Sequence, residues 1–546
     1  MKKIMFSAVY FLAAVITTLV LYQIRMEEGG KYTYQIFEIA RKISSGYQMR
    51  QIGAIALLFF LGIPVTVVLM DGIDSLQKKL LIYPFGITEW IVISVVLLLL
   101  GIPYSFFSMM AILLIINTLL IVIWRIKIKK EQENNNRIQN MVSFICILFG
   151  TGIILSSGLL FVYMSFDSVY FINFWGKSIA IEGKLTEFMS TYLTATGFGI
   201  ATLSSLSYMV GMDHFFWIHQ LLIIDVLALF VIKVNTKIRN EISKYHFFYS
   251  LGFMAFIFTI PIVAIVGGWI ISNSYIMIYL LLLIFFIEEI SHTDKVDLKR
   301  KLVLSIICFL LPFLRVDAGI TICGILIGLS ISTIETKDIL QSIFLPGLLG
   351  IILYFLKIYS LIGGIDGLFL SDKTILEIIG SFGIVGIYYL CLRNKWIFNR
   401  KYFINTILTA AMGITFIMTA LEPEKSIHTY KVLLYNFSKL REGYWEISLF
   451  WLLLFLAYTT LKSKAKMSYL QAIVLVLLIE TFLLALLRGA VLDLPARMGY
   501  GDSFNRIFAS YIPLCVYSLI DSLFPCKTGE TGQNYAEICK SEKTAL

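Results

Sequence analysis

Long apolar runs recur along this chain from residue 4 to residue 524, and they limit the fold more than any other feature. Runs of about 18 to 23 residues, wound as α-helix, cross ~30 Å of hydrocarbon with every backbone hydrogen bond made internally. Candidate spans fall near 4–23, 52–70, 86–102, 105–124, 141–164, 215–233, 247–269, 276–290, 302–314, 318–333, 341–360, 374–392, 404–421, 447–461, 471–487 and 509–524. The short runs at 302–333 and the last run leave the total at about 14–16. With 58% hydrophobic and 15% charged residues, the chain has too few charges to clothe a soluble surface around so much apolar sequence. The fold class expected is all-α, polytopic and transmembrane. The N-terminus, Met-Lys-Lys and then an apolar run to Leu21, lacks a small-x-small cleavage pattern before Arg25 and reads as a retained first helix.

The charges orient the helices. The net charge is +10, but the Lys and Arg residues cluster between apolar runs, as cytoplasmic loops do, so nucleic acid is not an expected partner. Basic loops occur at Arg125–Lys130, Lys233–Lys244, Asp297–Lys301, Arg393–Lys401 and Lys462–Lys466. With these inside, segments 165–214, 270–275, 315–317, 361–373, 423–446 and 488–508 face outward. Parity then leaves one outward crossing at 141–164 and one return at 215–233. The moderately apolar piece 188–211 becomes helices lying on, or dipping into, the outer membrane face. Three regions follow: 1–130 as a four-span extension, 131–524 as the core, and 525–546 as a polar, disordered tail. The cysteines show no CxxC spacing, and no inverted repeat of the transporter kind is visible.

Polar residues gather in two outward stretches. The first begins Ser165-Phe-Asp167 and continues through Tyr170, Trp175 and Lys177. A carboxylate beside the bilayer serves as a general base, or holds a divalent cation against a phosphate leaving group. Aromatic faces stack on sugars, and a lysine suits a phosphate. The same residues also read as an interfacial helix with a belt tryptophan. The second stretch runs from Arg488 to Arg506 and contains Arg497, Asp502 and three glycines. Arginine forks and close backbone approach suit an anion, whereas Asp502-Ser503 alone is an ordinary helix cap. Arg315-Val-Asp317 lies between two short runs, and Arg441 stands in an outer loop with His428 and Trp445. His219, Asp225 and Glu480 are isolated within apolar runs, with no relay pattern linking them. Glu288-Glu289 reads as a solvated helix end.

An outward helix, an Asp within a few residues, an aromatic stretch, surface helices and a return span together resemble the GT-C superfamily of integral-membrane glycosyltransferases. Ser165-Phe-Asp167 with Tyr170 stands where that family keeps its first-loop carboxylate. Val303 to Gly328, with Arg315 between short runs, is similar to a recurring segment of the family. Arg497-Met-Gly-Tyr-Gly-Asp-Ser-Phe-Asn-Arg506 resembles a motif of bacterial polytopic envelope proteins. The resemblance covers about residues 141 to 420. It departs from the family in having Phe166 and Ser168 beside Asp167 in place of an acidic pair, and four spans before the core, which marks a divergent member. It implies transfer of a sugar from a polyprenyl-phosphate carrier to an envelope glycan or lipid acceptor on the outer face. Asp167 is then the base or positioning group. Arg315, Arg441, Arg497, Asp502, Arg506 and Lys177 hold the phosphate, and Tyr170 and Trp175 line the sugar. No cofactor is required, and a divalent cation stays open. Two alternatives are a polysaccharide polymerase or ligase acting on undecaprenyl-pyrophosphate glycans, and a transporter or flippase.

Overall fold

The protein is described by a computed structural model over residues 47–70, 75–127, 168–189, 196–212, 216–239, 246–260, 263, 266, 271–291, 298–331, 337–362, 400–438, 446–462, 468–486 and 503–524. Almost all of these residues are helical, and the one extended feature among them is an isolated bridge between Thr196 and Arg315. The helices are α1 (Tyr47–Leu69), α2 (Ser75–Leu100), α3 (Phe106–Lys127), α4 (Phe174–Glu182), α5 (Gly199–Met209), α6 (Phe216–Arg239), α7 (His246–Thr259) and α8 (Ser272–Ser291). They continue with α9 (Leu298–Leu314), α10 (Ala318–Ile331), α11 (Lys337–Ile362), α12 (Arg400–Leu421), α13 (Pro423–Ser438), α14 (Glu446–Lys462), α15 (Tyr469–Leu486), α16 (Ser503–Ala509) and α17 (Ile512–Leu523). Six helical segments among the described residues are long and apolar enough to cross a membrane.

Most expected runs are helices with shifted ends. The run at 86–102 begins earlier, at Ser75, because Pro84 is accommodated inside the helix. The outer loop expected at 423–446 contains a helix, α13, whose first turn holds Pro423 and Glu424 as a helix start favours. Over residues 198–207 the piece expected at 188–211 is buried inside the protein. Its helix α5 is packed among α2, α4 and α9, with Thr202, Ser204, Ser205 and Ser207 fully buried. A short helix can be that polar inside because its hydroxyls bond locally: Thr202 donates to Gly199 O at 2.6 Å and Ser205 to Thr202 O at 2.6 Å.

Between apolar helices in lipid there is little hydrophobic gain from pairing, so close backbone approach decides which helices meet. α1 and α2 cross through Gly62 and Gly86. A Cβ on Gly62 would sit 1.8 Å from Ile82 O, and one on Gly86 1.8 Å from Leu58 O. α10 meets α15 at Gly328, where a Cβ would lie 2.5 Å from Ile473 Cα.

α8 is 20 residues long, about 30 Å, and is buried throughout its apolar length. Charged and polar groups collect at its two ends. At its end, Glu288 is buried, which overturns the expected solvated pair. Lys237 Nζ lies 2.7 Å from Glu288 Oε1 and 2.5 Å from Asp521 Oδ1, and 4.8 Å above the Tyr517 ring. Tyr517 donates to Glu288 Oε2 at 2.5 Å, and Lys233 pairs with Glu289. Two lysines expected in a basic loop thus lie one turn apart on α6 and pair with the acids of α8 and α17. A solvated reading missed this because the partners are far apart in sequence.

Candidate functional site

The opposite end of α8 is where residues from several of the expected outward segments meet. Its first turn begins Ser272-Asn273, and both are buried. The turn between α9 and α10 brings in Arg315. Arg315 Nε donates to Asp317 Oδ1 at 2.6 Å, and its Nη1 donates to Asn273 Oδ1 at 3.1 Å and to Ser272 Oγ at 3.4 Å. The turn between α16 and α17 brings in Ser510, whose hydroxyl donates to Asn273 O at 2.9 Å and is 3.2 Å from Arg506 O. Asn273 is therefore the residue shared by the Arg315 turn and the Arg506 segment, which are nearly two hundred positions apart in sequence. An arginine so anchored at Nε and Nη1 has a fixed plane, as a guanidinium that binds an anion needs.

The first of the two polar stretches reaches this end through α5. A Cβ on Gly197 would lie 2.0 Å from Phe313 O, so only glycine lets the strand-like Thr196 bridge to Arg315. Phe198 stacks on Tyr354 with 5.7 Å between rings, and Tyr354 donates to Thr196 O at 3.2 Å. α4 packs on α5 at Gly176, against Ser204. Gly183 ends α4 in a left-handed conformation at φ 67°, and its carbonyl accepts from Tyr104 N at 2.9 Å. Tyr104 in turn bonds Ser205 at 2.7 Å, and burial pushes its hydroxyl up to about 12.

The expected site residues separate into groups. Arg315 and the segment bearing Arg506 are brought together. Trp175 points into the core, 2% exposed and 5.7 Å from the Phe171 ring, while Lys177 is exposed on the other side of α4. Tyr170 lies in a π-helical turn, Ser168–Asn173. Asp167, Arg441, Arg497 and Asp502 lie outside the described residues.

Two residues join the site that the sequence left isolated or unremarked. Tyr511 is buried, its hydroxyl 2.7 Å from Thr321 Oγ1, within electrostatic reach of Arg315, Asp317 and Glu480. Glu480 Oε2 occupies the notch left by Gly324, where a Cβ would be 2.4 Å away. Glycine at 324 in α10 was the only local signal for an opposing side chain. The other intramembrane acid, Asp225, is buried near Tyr83, whose hydroxyl donates to Ile218 O at 3.1 Å, and His219 lies 5.3 Å from the Tyr275 ring. No group of three or more His, Cys, Asp or Glu suited to a metal occurs among the described residues.

Comparison of the chain with protein-family models, with curated proteins and with solved structures gives no match.

Proposed function

We propose that the protein is an integral-membrane glycosyltransferase that takes a sugar from a polyprenyl-phosphate carrier and passes it to an envelope glycan or lipid on the outer face. The observation that carries this reading is the meeting of Arg315 and the Arg506 segment on Asn273, at the end of α8 opposite the basic loops. An arginine held in one plane at a membrane edge suits a phosphate whose lipid tail stays in the bilayer. In this reading Arg315 takes the phosphate and Asp167 takes the proton of the acceptor hydroxyl as it attacks the sugar carbon. The phosphate leaves on the carrier lipid, and Arg315 offsets its charge. Arg441, Arg497, Asp502 and Lys177 belong to the same proposed anion surface, with Tyr170 at the sugar; Trp175, expected there too, is buried against Phe171 and supports α4 from the core side.

The test is binding of a polyprenyl phosphate to the protein in nanodiscs, read by native mass spectrometry. Losing one charged hydrogen bond to the phosphate costs about 1.5–3 kcal/mol, so Arg315→Gln weakens binding about tenfold or more. Equal binding by the variant removes Arg315 from the site.

A transporter is the second reading, favoured by Glu89, Asp225 and Glu480 inside apolar helices. Proteoliposomes distinguish the two: a transporter moves a labelled lipid-linked sugar between leaflets without consuming it, and a transferase consumes it.

A further inference from the structure

Midway along the α2–α3 contact lies a carboxyl and carboxamide pair that the candidate site does not use. Asn117 Nδ2 on α3 donates to Glu89 Oε1 on α2 at 2.7 Å, and to Leu113 O one turn back at 2.9 Å. Both N–H donors of the amide are thereby committed to oxygens, which fixes which end of the group is nitrogen. The remaining oxygens are Asn117 Oδ1 and Glu89 Oε2. Each is almost without accessible surface and has no hydrogen-bond partner among the described residues. With the carboxyl ionised, both are acceptors, stranded side by side in an apolar helix pair with no donor for either. A single proton on Oε2 removes both defects, because it makes that oxygen a donor for the open acceptor of the same pair. A carboxylic acid and a primary amide then close a ring of two antiparallel hydrogen bonds.

We propose that Glu89 is a proton-bound carboxylic acid held in a two-point ring with Asn117 inside the membrane, and that it is a site of modification by lipid-soluble carbodiimides. The surroundings suit both halves of this statement. Most of α3 is exposed, so the ring is the polar attachment near the middle of an otherwise apolar, little-covered helix. Leu114, on the same face of α3 as Asn117, is 68% exposed and Glu89 is only partly buried, so a reagent dissolved in lipid comes up to the pair from the α3 side and reaches the acid when the ring opens. The chemistry needs the proton. The acid O–H adds across one C=N bond of the carbodiimide: the carboxyl oxygen bonds the central carbon and the proton passes to nitrogen, giving an O-acylisourea. The acyl group then migrates to nitrogen as a stable N-acylurea. Nothing leaves, so the adduct carries the mass of one reagent molecule. An ionised carboxylate has no proton to deliver.

The experiment uses the full-length protein in lipid nanodiscs, treated with dicyclohexylcarbodiimide and mapped by peptide mass spectrometry. Infrared difference spectra of wild type and Glu89→Gln accompany the map. The expected result is an adduct on the peptide containing Glu89, and a carboxylic C=O band at neutral pH that Glu89→Gln lacks. Glu89→Gln melts as wild type does, because its amide makes the same two bonds. Asn117→Val opens the ring and raises labelling of Glu89 several-fold. A carboxylate band in place of the acid band overturns the proposal, as does an adduct confined to other carboxyls. A clear melting loss in Glu89→Gln contradicts the ring. The wild-type map reads the labelling without any variant, so a variant that fails to fold leaves the test decisive.

Discussion

Replacing Lys237 with methionine keeps the length of the side chain and removes its charge. In the folded protein Lys237 is 6% exposed and sits between Glu288 and Asp521, 9% and 13% exposed. Lys233, which also acts on Glu288, is held by Glu289. The variant therefore leaves Glu288 with a counter-charge it must share, and removes the ammonium that both acids contact and that lies over the Tyr517 ring. Breaking a buried ion pair by removing one partner costs about 3–5 kcal/mol. Most of that is the desolvation of the acids left behind, so it returns when they are neutralised. The triple variant Lys237→Met, Glu288→Gln, Asp521→Asn is expected to recover most of the loss. The assay is reversible unfolding of the purified protein in mild detergent, following tryptophan fluorescence against denaturant. A loss below about 1 kcal/mol in the single variant, the value of a solvated surface pair, refutes the argument. So does a triple variant no more stable than the single one.

Helix crossings and the Tyr104 hydroxyl give further tests. Gly86→Ala drives a methyl into Leu58 O and forces α1 and α2 apart, at a cost of about 1–3 kcal/mol or more in the same unfolding assay. Gly53→Ala and Gly413→Ala, with nothing within 4 Å of the new methyl, are neutral or stabilising by up to about 1 kcal/mol. Tyr104 stays neutral up to about 12 in the folded protein, while its unfolded hydroxyl ionises near 10. Refolding from alkaline solution must restore that proton, so its contribution is complete below pH 10 and fades between pH 10 and 12. Tyr104→Phe is expected to lose stability less steeply over that window, by about 1.4 kcal/mol per pH unit. Equal slopes for the two proteins would show that the hydroxyl is not shielded.

Helix positions were legible in the sequence because apolar runs must pay for no unsatisfied backbone in lipid, and length alone then marks them. Which helices touch was not legible. The Gly62–Gly86 crossing depends on two glycines facing each other, and each looks like any glycine in a long apolar run. α5 reads as a surface helix because its serines are counted as polar, although Ser205 is satisfied within its own turn and by Tyr104, and Ser204 by Asn173. Glu288 reads as solvated because its partners Lys237 and Asp521 come from distant helices. At the candidate site, Arg315 and the Arg506 segment were visible as residue types that bind anions. Asn273, which joins them, was hidden at the start of a span. Glu480 was visible as a costly acid, but its link to Tyr511 depends on how α10, α15 and α17 pack.

Sugar transfer in proteoliposomes tests the account most directly. The wild-type protein is supplied with a radiolabelled polyprenyl-phosphate sugar and an extract of envelope acceptors, and compared with Asp167→Asn. General-base catalysis is worth about 10²–10⁴-fold, so the account predicts transfer by the wild type and a loss of that size in the variant at equal protein in the membrane. Equal transfer by both proteins, or none by the wild type with the donor and every acceptor fraction present, would contradict it.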